Sequence, residues 1–266
     1  MRHLLSTILV AVILTSCNAS SNQEVQDEDP GTDEASLPSQ PPFGGTIFID
    51  PDIIKPSDPT AFTGLVFVGQ APRTMFDRRV NGWITVEPFL FNASFDDGLT
   101  AEIQVNPEFL TEAASLVVAE QYGEVIGRLP TALRMDVETV WIHLGVQPFG
   151  GGNNNLLIHV GQADLYVADG ILEETLVHEA AHTSLDGAYS FAPGWLAAQM
   201  ADPTFISDYG RDFPSREDIA ESFVPYLAVR YRRDRISESL ALVIEEAIPN
   251  RIEYFDSLAL DMYPIN

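Results

Sequence analysis

The residues best suited to chemistry lie at positions 172–182, a stretch that contains the pattern His-Glu-x-x-His. Apolar residues recur along it at helical spacing, which predicts a helix. His178 and His182 are four residues apart, so one helical face presents both imidazoles to a single ion. Glu179 is rotated by about 100° from His178 and therefore stands beside such an ion. A carboxylate there can take a proton from metal-bound water, so the pattern indicates zinc hydrolase chemistry.

The pattern alone leaves two interpretations open. Histidine pairs at this spacing also occur as ordinary core or surface residues, and a catalytic zinc site needs three protein ligands. A second predicted helix, with Ser215 as its N-cap, offers two glutamates for the third position. Glu221 lies among the apolar residues of its predicted inner face, and a buried carboxylate needs a partner such as a cation. We therefore predict that Glu221 is the third metal ligand.

Glu217 lies one turn before Glu221 on the same predicted face. We expect its carboxylate to support a ligand histidine, or to bind the ion itself. Pairing of both glutamates with Arg216 or with solvent is the alternative. Pro225, inside the same predicted helix, is expected to remove the hydrogen bond to the Glu221 carbonyl and to kink the helix.

Three further residues are candidates by type. Asp186 follows the first predicted helix, where it can bind the ion or accept a hydrogen bond from the ring of a ligand histidine. His143 and His159 can also ligate metals, but both lie in predicted strands. A half-buried histidine in a strand usually finds a hydrogen-bond partner, so a structural role is favoured for both.

The composition excludes some classes of function. The chain has 266 residues, of which 45% are hydrophobic, and this is enough for a real core. It carries 39 acidic against 14 basic residues, for a net charge of -25. Such a surface repels nucleic acid and anionic lipid headgroups, and it favours a soluble monomer.

The N-terminus indicates export. Residues 4–14 are almost continuously apolar, and they are followed by Leu-Thr-Ser-Cys, which resembles a bacterial lipobox. We predict a signal peptide at 1–17 and a protein lipid-anchored through Cys17 to a bacterial membrane, on its periplasmic or extracellular face. An ordinary secretory signal with an incidental cysteine is the alternative. Residues 18–42, which are acidic and poor in apolar groups, are predicted to form a disordered tether.

The rest of the chain predicts an α+β fold. Short apolar runs between turn signals predict strands at 46–49, 64–68, 83–86, 102–105, 139–144 and 155–160. Helical patterns cover 108–128, 236–247 and 251–260, while the glycine- and asparagine-rich 147–155 is predicted to be a mobile loop. This order suggests a β-rich region at 43–105 and a catalytic domain at 106–266. Whether the first region is a separate domain is left open.

Two segments resemble a known family: HEAAHTSLDG at 178–187 and REDIAESF at 216–223. They resemble gluzincin metallopeptidases of the anthrax lethal factor and Mlc titration factor kind, over residues 171–187 and 205–227. The resemblance implies a zincin-like fold, with a mixed sheet, an active-site helix and a C-terminal helical subdomain. It also implies Zn²⁺ as cofactor, with His178, His182 and Glu221 as ligands and Glu179 as the base.

The same resemblance implies a peptide or protein substrate that is held along an edge strand of the sheet. We expect residues 155–160, or the short piece after them, to be that edge. Tyr209, just before the second predicted helix, is implied as a hydrogen-bond donor to the oxyanion. Two rival functions stay open: a binding or assembly lipoprotein with a non-catalytic zincin-like core, and a calcium-dependent surface module that uses the acidic turns.

Overall fold

The computed structural model describes residues 40–265 and has an α+β architecture. Its strands are β1 (Phe62–Gln70), β2 (Arg73–Asp77), β3 (Gly82–Val86), β4 (Phe89–Phe95), β5 (Thr100–Val105), β6 (Thr139–His143), β7 (Gly150–Gly152) and β8 (Asn155–His159). Its helices are α1 (Glu112–Gly127), α2 (Thr131–Arg134), α3 (Val160–Asp169), α4 (Leu172–Ser184), α5 (Asp186–Tyr189), α6 (Pro193–Ala201), α7 (Asp208–Asp212), α8 (Asp218–Tyr231), α9 (Glu238–Ala247) and α10 (Pro249–Ser257).

Six strands form one mixed sheet in the order β1-β4-β5-β6-β8-β7, and β2 and β3 form a separate hairpin. The strands β1, β4 and β5 pair antiparallel, β5, β6 and β8 pair parallel, and β7 runs antiparallel at the edge. Alternate residues of β4 are buried, as expected for a strand with one face on the core. The central strand β8 is buried along its whole length, which accounts for its apolar run Leu-Leu-Ile.

Helix α4 lies between the edge of the sheet and α8. It contacts β7 and β8 as well as α8, and nine of its thirteen residues are buried. A buried ion-pair network fixes the start of α8. Arg251 of α10 donates to Asp218 at 2.9 Å and to Asp202 at 2.8 Å, and all three side chains are fully buried. This network sets where the first turn of α8 meets α4.

Most of the predicted elements are present. The predicted strands at 64–68, 83–86, 102–105, 139–144 and 155–160 correspond to β1, β3, β5, β6 and β8, and the predicted helices correspond to α1, α4, α8, α9 and α10. The strand predicted at 46–49 is wrong, because these residues form turns and the Thr46 amide donates to the Glu221 carboxylate instead of a neighbouring strand. The sequence patterns missed β2, β4, the helix α3 between β8 and α4, and the helices α2, α5, α6 and α7.

The edge strand is β7, within the segment that was predicted to be a loop. The predicted edge, 155–160, is instead largely β8, which lies between β6 and β7 and is therefore not the edge of the sheet. Glycine is required at position 151 because a Cβ there would collide with the carbonyl group of Glu179. Close packing of β7 on α4, rather than mobility, therefore explains this glycine.

The two predicted regions share one sheet. Strand β5, from 43–105, pairs in parallel with β6, from 106–266, and the described residues belong to one compact unit. The predicted signal peptide, Cys17 and nearly all of the predicted tether lie outside the described residues. Within 40–265, no helix combines the length and apolar character needed to cross a membrane.

His143 and His159 are fully buried neighbours at the ends of β6 and β8, with ring centroids 5.3 Å apart. The Nδ1 of His143 lies 2.9 Å from the Asn106 side-chain amide, and the Nδ1 of His159 lies 3.0 Å from the carbonyl oxygen of Leu144. These contacts agree with the structural role favoured from the sequence. Burial lowers the pKa of His143 to about 4.

We predict that the free energy of unfolding falls as the pH is lowered from about 6.5 to about 4. His143 protonates near its ordinary pKa in the unfolded chain but resists protonation when folded, so acid favours the unfolded state by at most about 3 kcal/mol. The free energy of unfolding, measured with denaturant across this pH range, should decline less steeply for His143→Gln than for the unmodified protein. Equal slopes for the two proteins would contradict the prediction.

Candidate metal centre

Three side chains from α4 and the start of α8 converge on one point. The Nε2 atoms of His178 and His182 lie 3.1 Å apart. The Oε2 of Glu217 lies 3.2 Å from Nε2 of His182 and 3.6 Å from Nε2 of His178. Within residues 40–265, this is the group of His, Cys, Asp and Glu side chains whose arrangement is suited to hold a metal ion.

The spacing of these atoms fits a tetrahedral ion. Ligand atoms at about 2.1 Å from a tetrahedral zinc ion are about 3.4 Å from one another, and the three observed distances bracket that value. Two histidines and one glutamate are also a donor set that catalytic zinc sites use, with the fourth position open to water. The residues present therefore fit a zinc ion.

The outer sides of the two rings support the same arrangement. Nδ1 of His182 lies 2.8 Å from Oδ2 of Asp186, and Nδ1 of His178 lies 3.5 Å from Oε1 of Glu221. Carboxylates at these positions favour a proton on each Nδ1, which leaves both Nε2 lone pairs directed at the same point. Two facing lone pairs repel each other unless a cation or a proton lies between them.

The structure groups a different glutamate with the two histidines than the one expected as third ligand. Glu217, rather than Glu221, supplies the carboxylate of the three-residue group. Glu221 is buried, but its Oε2 accepts hydrogen bonds from the Thr46 amide at 3.1 Å and from the Ser207 hydroxyl at 2.5 Å. A buried carboxylate needs a partner, and here two neutral donors take the place of the expected cation. We therefore move the expected ligand role to Glu217 and assign Glu221 to the support of His178.

The placement of Glu217 depends on where α8 begins. Ser215, the predicted N-cap, lies in a turn, and α8 begins at Asp218 with Glu217 itself at the N-cap position. Glu217 can therefore extend across to α4. Its Oε1 accepts hydrogen bonds from the Tyr209 hydroxyl at 2.9 Å and from Nε of Arg216 at 2.7 Å.

The electrostatics of the cluster favour a positive charge. Burial acts against ionisation of Glu217, but a protonated imidazole of His178 or His182 facing its carboxylate holds the pKa of Glu217 well below the ordinary range. Burial likewise opposes protonation of His182, yet Asp186 and Glu217 raise its pKa to about 10. The carboxylates around the rings thus stabilise a positive charge at this point by more than burial destabilises it.

Pro225 has the expected effect on one hydrogen bond. It lies inside α8 and cannot donate to the Glu221 carbonyl. The hydroxyl group of Thr46 donates to that carbonyl instead, at 2.8 Å. Thr46 thus binds Glu221 twice, once at the carboxylate and once at the backbone.

The cluster opens into a cleft of about 880 Å³. Glu179 is partly buried and lines this cleft beside the two histidines. Tyr209 also lines it, with its hydroxyl engaged by Glu217 and its side chain partly exposed. The oxyanion role expected for Tyr209 stays a hypothesis, because the hydroxyl faces Glu217 in this structure.

Sequence patterns missed several residues that line the cleft. They are Arg78 from the turn after β2, Tyr166 from α3, and the segment 44–48. Burial and the charge of Glu179 raise the pKa of Tyr166, which places this phenol near the expected base. These residues lie far from the His-Glu-x-x-His helix in sequence, and no local motif marks them.

Comparisons with protein-family models, with curated proteins and with solved structures find no match for this chain. The geometry of the site itself is therefore the basis for inferring a function.

We predict that the full-length protein in detergent binds close to one zinc ion per chain. His178→Ala and Glu217→Gln should each abolish this binding, because each removes a ligand from the cluster. Glu221→Gln should retain zinc with about 10- to 100-fold weaker affinity, as expected for a residue that orients a ligand ring.

Metal analysis after dialysis, followed by competition with a chelator, measures both effects. Loss of zinc in Glu221→Gln together with retention in Glu217→Gln would restore the ligand set expected from the sequence. Zinc binding that survives His178→Ala would place the ion elsewhere.

Proposed function

We propose that the protein is a zinc-dependent metallopeptidase in which His178, His182 and Glu217 bind the ion and Glu179 is the general base. The observation that carries this proposal is the convergence of two Nε2 atoms and one carboxylate oxygen at the spacing of tetrahedral ligands, within an open cleft. Glu179 lines the same cleft and is not part of the ligand group. A purely structural metal site has no need of such a carboxylate.

The residues of the site have different roles in hydrolysis. When bound, zinc supplies a Lewis acid that polarises a carbonyl and lowers the pKa of a water molecule. Glu179 accepts the proton of the attacking water and can deliver it to the leaving amine. Asp186 holds the imidazole of His182 by a hydrogen bond at Nδ1, and the Glu221 carboxylate lies 3.5 Å from Nδ1 of His178, so both Nε2 atoms are directed at the ion.

The position of β7 supports a peptide as substrate. Within the described part of the chain, β7 pairs with β8 alone, so its other edge has no strand partner, although the Gly152 amide donates to the Thr183 hydroxyl. Gly151 packs against the Glu179 backbone, which places this free edge beside the expected base. An extended peptide that added to β7 as a further strand would lie across the cleft. This arrangement also supports the proposal of a zincin-like fold.

We predict that Glu179→Gln lowers kcat/KM for peptide cleavage by about 100-fold or more, while zinc content is unchanged. The loss follows from removal of a general base, which contributes about 10²–10⁴-fold to such reactions. Cleavage of a peptide library followed by mass spectrometry gives the rate, and metal analysis gives the zinc content.

Glu246→Gln is the matched control, because Glu246 is exposed on α9 and does not line the cleft. It removes the same charge and should leave cleavage unchanged. Absence of cleavage in the unmodified, zinc-loaded protein would favour the non-catalytic binding lipoprotein instead.

We also propose that the protein acts at the surface of a bacterial membrane, anchored by lipid on Cys17. This part of the proposal depends on the sequence of the N-terminus, with its apolar run and unique cysteine. We predict that Cys17→Ser moves the protein from the membrane fraction to the soluble exported fraction. Metabolic labelling with a fatty acid, which should mark the unmodified protein and not Cys17→Ser, checks the expected chemistry. A labelled Cys17→Ser protein would contradict it.

A further inference from the structure

The turn between β2 and β3 places one guanidinium group in the cleft. Arg78 lines the cleft together with His178 and Glu179. Its Nη2 donates a hydrogen bond to the carbonyl of Phe149 at 2.8 Å, immediately before β7. The hairpin therefore brings a positive charge to the same edge strand on which we expect the substrate to lie.

Two glycines of β7 fix the position of this charge relative to Glu179. A Cβ at Gly150 would lie 3.0 Å from Nη2 of Arg78, so this glycine leaves room for the guanidinium group. The next residue, Gly151, packs against the backbone of Glu179. Consecutive residues of a strand are about 3.3 Å apart. Consecutive residues also face opposite sides of a strand, so Arg78 and Glu179 flank β7 from its two faces, one residue apart along the edge, and both line the cleft.

Arg78 has no acidic partner in the described part of the chain. Its only hydrogen bond there uses one of the five N–H groups of the guanidinium. The neighbouring Arg79 differs, because it binds both Asp77 and Glu108 and so holds the turn in place. Arg216, also in the cleft, is bound to Glu217.

For the binding of an acidic ligand, an unpaired guanidinium is more important in a strongly acidic chain than in a neutral one. The net charge of -25 repels acidic ligands at long range, although salt limits that repulsion to about 8 Å at physiological ionic strength. A cleft in this protein that accepts a carboxylate therefore needs a local cation. Arg78 supplies one, and its planar fork matches the two oxygens of a carboxylate.

We propose that Arg78 binds a carboxylate of the substrate, and so directs the cleft to peptides with Asp or Glu one or two residues from the scissile bond. This inference rests on the proposed peptidase function and specifies its substrate class. The carboxylate at the C-terminus of a short peptide has the same chemistry, so the test must separate it from an acidic side chain.

The binding test uses the full-length Glu179→Gln protein in detergent, so that peptides stay intact. Hexapeptides with blocked ends carry Glu at each position in turn, and each is compared with the same peptide carrying Gln. We expect the Glu peptide to bind about tenfold tighter at one position, as for a charge-assisted hydrogen bond. Adding Arg78→Gln should abolish this difference. A Gln peptide with a free C-terminus shows whether a terminal carboxylate is bound as well.

Arg233→Gln is the matched control, because Arg233 lies outside the cleft and pairs with Glu238 and Glu245. It removes the same charge from the protein and should preserve the preference for Glu. Equal binding of Glu and Gln peptides at every position would overturn the inference. So would a preference that persists in Arg78→Gln, since the carboxylate would then be bound by another group.

The cleavage test uses the otherwise unmodified protein and its Arg78→Gln variant. We expect kcat/KM to be about tenfold higher for the Glu peptide than for the Gln peptide, and we expect this ratio to approach one in Arg78→Gln. Failure of the peptidase proposal gives a different result. In that case no peptide is cleaved, while the preference for Glu that depends on Arg78 still appears in the binding test.

Discussion

The candidate site depends on the packing of α8 against α4, which sets two glutamates of one helix against two histidines of another. Glu217 meets the Nε2 side of the imidazoles and Glu221 meets the Nδ1 side of His178. The two glutamates are four positions apart, and so are the two histidines. Each pair therefore spans about one helical turn, and the two pairs face each other. A shift of either helix by one turn would separate the ligands.

Distant parts of the chain hold this packing in place. The buried Arg251 joins α10 to Asp218 at the start of α8. On the other side, Thr46 satisfies both the carboxylate of Glu221 and the carbonyl that Pro225 leaves without a helical donor. Because buried polar groups are costly when unpaired, these bonds favour one position of α8 over its neighbours. The segment that precedes the sheet is therefore part of the site.

Charge has opposite effects at different distances in this protein. Across the surface, the excess of carboxylates favours solubility and repels acidic molecules. At the centre, carboxylates concentrate around two histidines, where they orient the rings and attract a cation. Most other arginines of the described residues form ion pairs with nearby carboxylates, as Arg79 and Arg251 do. An arginine in the cleft that lacks such a partner, Arg78, is thus available for a ligand.

The sequence by itself determined the His-Glu-x-x-His helix and the α+β class, because these depend on local spacing and on periodic burial. It also placed Asp186 within reach of His182, since the two are four residues apart across the end of α4. Only the tertiary structure distinguishes Glu217 from Glu221, because both are buried and it is the partners from 46 and 207 that engage Glu221, while Glu217 groups with the two histidines. The edge strand β7 and the position of Arg78 were likewise decided by strand pairing and by contacts between distant segments, which no local pattern encodes.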